Sequence, residues 1–174
     1  MQSDHNISWD VSEAIRASLA RKSLADTRQR AAAAALLKLS ETDVLAMQHL
    51  AWAGALTPSE LAGRLRLTSG GVTALIHRLE RARYVARGPH PADRRSLLVR
   101  LSEEGRSRAA DLYAPLVHEL DAAVAALDDS ERDVVARFLA RVAELGEAHA
   151  VELQRSAEAQ RPPVPRVPVP GLWS

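Results

Sequence analysis

Side chains that could bind a polyanion gather on one face of a predicted helix, in the stretch TSGGVTALIHRLERA (68–82). At about 100° per residue, the inward face comprises the apolar residues Val72, Leu75, Ile76 and Leu79. The opposite face carries Gly70, Ala74, His77 and Arg81, with Thr73 and Arg78 on its flanks. This outer face is small at its amino-terminal end and rich in hydrogen-bond donors toward its carboxyl-terminal end. Such a helix suits the major groove of double-stranded DNA.

Two glycines lie in the first turn of this helix, although glycine inside a helix costs about 0.5–1 kcal/mol relative to alanine. Gly70 lies in the middle of the outer face, and its missing side chain lets free N–H groups approach a phosphate. Gly71 lies toward the preceding helix, where close crossing demands a small residue. For Thr68 and Ser69, capping and a phosphate contact are both compatible with the sequence. A solvated surface histidine is the alternative for His77.

A second set of candidate DNA contacts lies in the stretch PHPADRRS (89–96). An arginine at a hairpin tip can enter the minor groove, so Arg94 and Arg95 are predicted contacts. Asp93 would hold an arginine in place by a bidentate pair. The alternative is an Asp–Arg turn that only rigidifies the hairpin.

The sequence offers no set of residues suited to catalysis or metal binding. It contains no cysteine, which excludes disulfides, thiol redox sensing and thiolate metal sites. Its six histidines show no pair at ligand spacing. A phosphate-cradling glycine loop and a nucleophile–base set are also absent. The sequence therefore predicts no enzyme, no metal site and no cofactor.

The net charge of +1 conceals a strong asymmetry along the chain. Residues 57–101 carry nine arginines and three acidic residues, a net charge of +6. Residues 102–160 carry six arginines and thirteen acidic residues, a net charge of −7. A basic block beside an acidic one favours a surface that meets phosphates, although a solvated charged surface is the alternative.

Capping residues define the elements that must position these side chains. In LTPSELAGRLRLTSGG (56–71), Thr57 is a predicted N-cap, Pro58 takes the first helical position and Glu60 completes a capping box. This short helix ends before Leu67, and the next one begins after Thr68 or Ser69. The pair is typical of a helix-turn-helix. Segments 84–87 and 97–101 favour β-structure, which predicts a hairpin after it.

Long helical segments flank this region, and their apolar stripes have no predicted sheet to cover them. A second copy of the chain would cover them, which predicts a homodimer. The fold class is predicted to be mainly α with a small β-hairpin wing, a winged helix-turn-helix with long N- and C-terminal dimerisation helices. The predicted divisions are 1–38, the N-terminal dimerisation helix; 39–101, the DNA-binding domain; 102–158, the C-terminal dimerisation helices; and 159–174, a proline-rich tail.

The stretches LSETDVLAMQHLA and TPSELAGRLRLTSGGVTALIHRLERARYVARGPHPADRRSLLVRLSEEG carry a family resemblance. In them, TSGGVT and I-x-RLE are followed by D-x-R and LLVRLSEEG, a combination more specific than a generic helix-turn-helix. Residues from about 39 to 105 resemble the MarR family of bacterial winged-helix regulators. The resemblance implies a transcriptional regulator that binds pseudo-palindromic DNA as a homodimer. We expect a repressor, with an activator as the alternative. It also implies a small-molecule effector, phenolic or anionic, that loosens DNA binding.

The resemblance also implies which residues make contacts. The implied recognition-helix contacts are Ser69, Gly70, Thr73, Ala74, His77 and Arg78, and the implied wing contacts are Arg94 and Arg95. Arg66 stands in the inter-helix turn where the family often has glycine or asparagine, so either the turn differs or Arg66 adds a phosphate contact. An effector pocket is expected where the dimer helices meet the winged domain. Its candidate lining residues are His49, Trp52 and Tyr113, and core packing is the alternative for each.

A rival function is a winged-helix protein-interaction module without specific DNA binding, against which the basic block argues.

The amino terminus lacks a signal pattern, and the longest nearly apolar run, AAAAALL (31–37), is too short to span a bilayer. A cytoplasmic protein without a membrane partner is therefore expected. For the proline-rich tail, a disordered end, a strap across a partner subunit and a docking motif all remain open.

Overall fold

A computed structural model describes residues 4–89 and 96–160 of the chain, with side chains from residue 11 onward. The proline-rich tail from residue 161 onward and the predicted wing residues 93–95 lie outside these residues. The described elements are α1 (Asp4–Leu37), α2 (Glu41–Ala53), β1 (Ala55–Leu56), α3 (Pro58–Leu65), α4 (Ser69–Arg81), β2 (Val85–Pro89), β3 (Leu97–Leu101), α5 (Glu103–Ala125) and α6 (Asp129–Ala159). The predicted fold class, a mainly helical chain with a small β-wing, is confirmed.

The chain divides into two compact units, residues 1–117 and 118–174. In the first unit, one buried apolar core joins α2, α3, α4 and the three strands. Its most enclosed side chains are Leu50, Leu61, Leu75, Ile76, Leu79 and Val99. In the second unit, α6 has no buried residue among those described. None of the helices within 4–89 and 96–160 combines the length and hydrophobicity that a membrane span requires.

Capping boxes fix the starts of α2 and α3, and the box at the start of α3 is the one that the sequence predicts. Ser40 caps α2, where the Asp43 N–H donates to Ser40 Oγ (3.1 Å) and the Ser40 N–H donates to Asp43 Oδ2 (3.2 Å). Thr57 caps α3, where its own N–H donates to Glu60 Oε2 (2.7 Å). Each box satisfies two backbone donors that the first turn of a helix otherwise leaves unpaired. Pro58, at the first helical position, has no backbone N–H that would need a partner, and its fixed φ suits a helix. It therefore favours a start of α3 at this residue.

The sheet has the antiparallel order β1-β3-β2, and β2 and β3 form the base of the predicted wing. Two details differ from the sequence prediction. The sequence assigned Gly88 and Pro89 to the loop, whereas both pair within β2, opposite Leu98 and Leu97. An edge strand tolerates proline because its outer N–H groups need no ladder partner. The sequence also missed β1, whose two residues are too few to show alternation.

The start of α6 corrects another prediction. From the stretch DDSERDVVARFLARVAELGEAHAVELQ (128–154), the sequence predicts an N-cap at Ser130 and a helix end near Leu153. The structure shows that the cap is Asp128 and that the helix continues to Ala159. Asp128 forms a capping box with Glu131, in which both backbone-to-carboxylate distances are 2.9 Å. This reciprocal box satisfies two backbone donors at once.

Candidate nucleic-acid interface

The inward face of α4 is buried as predicted: Val72, Leu75, Ile76 and Leu79 are each at most 3% exposed. The opposite face is therefore turned away from the core. The predicted contact residues of this helix are all exposed: Ser69, Gly70, Thr73, Ala74, His77, Arg78 and Arg81. A helix fixed by one buried face and exposed along the other is available to a groove-shaped partner.

The first turn of α4 separates the roles of its two glycines. A Cβ built on Gly70 has no heavy atom within 4 Å, so the fold itself does not require glycine there. A Cβ on Gly71 would lie 3.3 Å from Thr68 Oγ1 and 3.6 Å from Leu67 Cβ. The sequence attributed the crowding at Gly71 to the preceding helix, whereas the crowding atoms belong to the turn and the N-cap. Thr68 is that cap, accepting from the Gly71 N–H at 3.1 Å.

The hydroxyl of Thr73 is already engaged within the helix. Thr73 Oγ1 donates to the Ser69 carbonyl one turn earlier, at 2.8 Å. Its proton is therefore used internally, and its lone pairs are left to accept a hydrogen bond. A base that met Thr73 would find an acceptor and a methyl group.

Arg78 makes an ion pair that the sequence did not predict. Its Nη2 lies 2.7 Å from Asp43 Oδ1, and its Nε donates to Asp43 Oδ2 at 3.4 Å. Asp43 is 2% exposed, whereas the Arg78 side chain is 48% exposed. The sequence signal at Asp43 was limited to its place in the capping box, since its cationic partner lies 35 residues away.

His77 belongs to a polar cluster that links α4 to β2. Arg87 Nη2 lies 3.1 Å from Glu80 Oε2 and 3.5 Å from His77 Nε2. His77 Nδ1 lies 3.6 Å from the same Glu80 oxygen. The imidazole is still 63% exposed, so it remains available at the outer face while this cluster orients it.

The turn between α3 and α4 explains why glycine or asparagine would suit the position of Arg66. Its backbone is left-handed, with φ 54° and ψ 43°. Glycine adopts this conformation freely and asparagine tolerates it, whereas other residues are strained. The Arg66 N–H donates to the Gly63 carbonyl (3.3 Å) and the Leu67 N–H to the Ala62 carbonyl (3.0 Å), which closes the helix. The Arg66 side chain is exposed.

A cavity of about 480 Å³ lies between α1, α2 and the first half of α5. Trp52 and Tyr113 both line it, as do apolar residues that include Leu37, Val44 and Met47. Trp52 is 91% exposed, so the alternative of core packing is wrong for this residue within the described chain. Its indole ring forms an open wall of the cavity.

The polar groups of this cavity are few. Gln48 Nε2 donates to Tyr113 Oη at 2.8 Å, which joins α2 to α5 across the cavity. Among the described lining residues, none is charged and His49 is not included. His49 is half-buried instead, and burial lowers the pKa of its imidazole below the ordinary value of 6.5. The positive charges of Arg64 and Arg30 lower it further.

The part of the chain that the structure describes contains no cluster of three or more histidine, aspartate or glutamate residues that could hold a metal ion.

Comparisons with known proteins agree with this geometry. Residues 37–96 match the model of the MarR family. YcgE of Bacillus subtilis (strain 168), an uncharacterised HTH-type transcriptional regulator, is 32% identical over 124 residues, which cover 71% of this chain and 80% of YcgE. The HTH-type transcriptional repressor YetL of the same organism is 30% identical over 84 residues, 48% of this chain and 50% of YetL.

A solved structure shares the fold. The crystal structure of NadR in complex with 4-hydroxyphenylacetate superposes with a TM-score of 0.54 at 22% identity, covering 74% of this chain and 92% of NadR. The matched proteins are transcriptional regulators and not enzymes. The family match across the helix-turn-helix and the identity to YcgE over most of its length show that the chain belongs to the MarR family of DNA-binding transcriptional regulators.

Proposed function

We propose that this regulator is a repressor that binds a pseudo-palindromic operator as a homodimer and leaves it when a small molecule binds. The observation that carries the proposal is α4, whose inner face is buried and whose outer face is small and donor-rich. The name of YetL as a repressor supports the direction of regulation. The ligand named with NadR supports control by a small molecule.

The proposed DNA contacts fall into three groups. On α4, Gly70 admits the backbone to a phosphate, and base or phosphate contacts come from Ser69, Thr73, Ala74, His77 and Arg81. Before α4, Thr68 and Arg66 contact phosphates. Arg94 and Arg95, with Asp93 as their support, form the wing contact, which lies outside the described residues.

Exposed apolar side chains support the homodimer. In the amino-terminal helix, Val11 is 52% exposed and Ile15 is 40% exposed. In α6, Phe138 and Leu139 are 42% and 51% exposed, in a helix of 31 residues without a buried position. Apolar stripes of this length require a partner surface. A two-fold dimer would place two recognition helices about one DNA turn apart.

Selection of DNA from a randomised duplex library by the wild-type protein tests operator binding. We expect a palindromic motif with half-sites separated by about 10 base pairs. Gly70→Glu should abolish binding to the selected duplex, because it places a carboxylate where a phosphate would approach. Gly70→Ala is the matched control, and both variants should be at least as stable as wild type, since space around Gly70 is open and glycine is unfavourable in a helix. Failure to enrich any sequence would favour the rival protein-interaction module.

The cavity lined by Trp52 and Tyr113 supports a neutral aromatic effector. Its volume of about 480 Å³ lies within the range of small-molecule sites. The Trp52 indole offers a face for stacking, and Tyr113 Oη offers a hydrogen bond. Burying a carboxylate there would be costly, because none of the described lining residues is cationic. A phenol is therefore favoured over an anion.

Two matched probes test the nature of this effector: 4-hydroxyphenylacetate, which is anionic at neutral pH, and 2-(4-hydroxyphenyl)ethanol, its neutral analogue. The neutral compound should raise the melting temperature more and should release the selected duplex at lower concentration. Trp52→Ala should weaken both effects without loss of DNA binding. Tighter binding of the carboxylate would show that a cation from elsewhere reaches the cavity, and would refute the neutral-ligand proposal.

A further inference from the structure

We infer that Asp43 and Arg78 are positioning residues for DNA recognition, and that Arg78 acts through Asp43 and not by touching the DNA itself. The ion pair sets the rotation of α4 about its own axis. The inference rests on the proposed operator binding, because it concerns how well α4 is presented to an operator.

Both oxygens of the Asp43 carboxylate are engaged. Oδ1 accepts from Arg78 Nη2 at 2.7 Å. Oδ2 accepts from Ser40 Oγ (2.7 Å), from the Ser40 N–H (3.2 Å) and from Arg78 Nε (3.4 Å). Two parallel contacts between a guanidinium and a carboxylate define an orientation as well as a distance. Since Asp43 is 2% exposed, water competes little for these bonds.

The anchor end of this ion pair is held by local structure that does not involve α4. Asp43 lies in the first turn of α2, where its own N–H donates to Ser40 Oγ. The residue before Ser40, Leu39, donates its N–H to the Ala34 carbonyl of α1 at 2.9 Å. The α1–α2 junction therefore fixes the position of the carboxylate, and the ion pair with Arg78 fixes α4 relative to that junction.

The rotation of α4 needs such a directional contact. Its inner face is held by apolar packing, which is strong but has little directionality. Arg78 lies on the flank of the outer face, directly after His77 and three residues before Arg81. Because these side chains share one rigid helix, a small rotation at Arg78 moves all the proposed base contacts together. The effect on DNA binding should therefore be spread over several base contacts and not confined to one.

The rival explanation is that Arg78 contacts a phosphate or base directly, which its 48% exposed side chain would permit. Asp43 separates the two explanations. It is buried and acidic, so replacing it cannot remove a DNA contact, and loss of its negative charge would by itself favour DNA binding. Weaker binding after a change at Asp43 therefore indicates positioning.

The experiment compares Asp43→Asn, Arg78→Lys, Arg78→Gln and the double variant that combines Asp43→Asn with Arg78→Lys. Each is measured on the duplex selected by the wild-type protein and on a scrambled duplex. Lysine keeps the charge and loses the bidentate geometry. We expect Asp43→Asn and Arg78→Lys each to weaken specific binding by about tenfold, and the double variant to be no weaker than the worse single one. Affinity for the scrambled duplex should not fall in either single variant, and the salt dependence of binding should not change.

A direct contact predicts a different pattern. With a phosphate contact, Arg78→Gln would weaken both duplexes alike and lower the slope of log K against log salt by about 0.9. With either a phosphate or a base contact, Asp43→Asn would bind at least as tightly as wild type. That result would overturn the inference. If Asp43→Asn is unfolded at the assay temperature, Asp43→Glu replaces it, because it changes the geometry of the ion pair and likewise cannot remove a DNA contact: wild-type affinity in Asp43→Glu refutes positioning, and a selective loss of specific binding supports it. Failure of the wild type to select any sequence would refute the proposed function instead.

Discussion

Replacing Gly105 with alanine should destabilise the protein strongly, because the new methyl group meets backbone. Gly105 is a buried residue in the first turn of α5. A Cβ there would lie 2.0 Å from the Tyr84 carbonyl oxygen and 2.9 Å from its carbonyl carbon. The first distance is about 1.5 Å short of a favourable separation between non-bonded heavy atoms. No change of rotamer relieves the clash, so α5 or the segment before β2 must move.

The contacts that would stretch give the size of the effect. The Ser102 N–H donates to the Tyr84 carbonyl at 3.0 Å, and Ser102 Oγ donates to the Arg83 carbonyl. The Gly105 N–H in turn donates to Ser102 Oγ at 2.9 Å. Overpacking costs about 1–3 kcal/mol. Weakening one or two hydrogen bonds adds about 0.5–1.5 kcal/mol each. We therefore expect a loss of about 2–5 kcal/mol, or about 5–15 °C in melting temperature.

Urea denaturation and calorimetry at one protein concentration would measure this loss. Gly63→Ala is the matched control, because Gly63 is helical and exposed and a Cβ there has no heavy atom within 4 Å. That variant should be more stable than wild type by about 0.5–1 kcal/mol. If Gly105→Ala and Gly63→Ala were equally stable, the contact between α5 and the Tyr84 carbonyl would not hold in solution.

Two further predictions concern Arg66 and His49. Arg66→Gly should be up to about 1 kcal/mol more stable in urea, because glycine relieves the left-handed backbone; a loss of stability would show that the arginine side chain supports the turn. If Arg66 contacts a phosphate, the same variant should lower the slope of log K against log salt by about 0.9. The lowered pKa of His49 means that the unfolded chain binds more protons just below pH 6.5, so stability is complete above that pH and falls as the pH falls. His49→Gln should reduce the fall in melting temperature between about pH 7.5 and 5.5, and parallel curves for variant and wild type would contradict this.

Local signals account for the parts of the fold that the sequence predicts well. The start of α3 depends on Thr57, Pro58 and Glu60, which lie within four consecutive positions. The inward face of α4 depends on apolar spacing within a single helix. Such features need no knowledge of distant residues, because capping and amphipathic periodicity act over one or two turns.

Features that depend on distant residues were missed. The ion-pair partner of Arg78 lies on α2. Without knowledge of that partner, a basic residue beside the predicted DNA-binding face is predicted to contact DNA. The environment of Trp52 also could not be predicted from nearby residues. Tryptophan is usually largely buried, yet this one is 91% exposed beside a cavity formed with Tyr113, which lies on α5. Periodicity within α2 holds no information about α5.

The charge count of the basic block changes meaning once these pairs are known. The sequence has a net charge of +6 over residues 57–101. At least two of its arginines, Arg78 and Arg87, form ion pairs, one with Asp43 outside the block and one with Glu80 inside it. Asp43, which is buried on α2, neutralises the positive charge of Arg78, although the net charge of residues 57–101 counts that charge as available to DNA. These pairs hold α4 to α2 and to β2, so part of the basic character serves to fix the recognition helix. Specificity then depends on a rigidly held helix as well as on attraction to phosphates, because attraction alone is nearly independent of sequence.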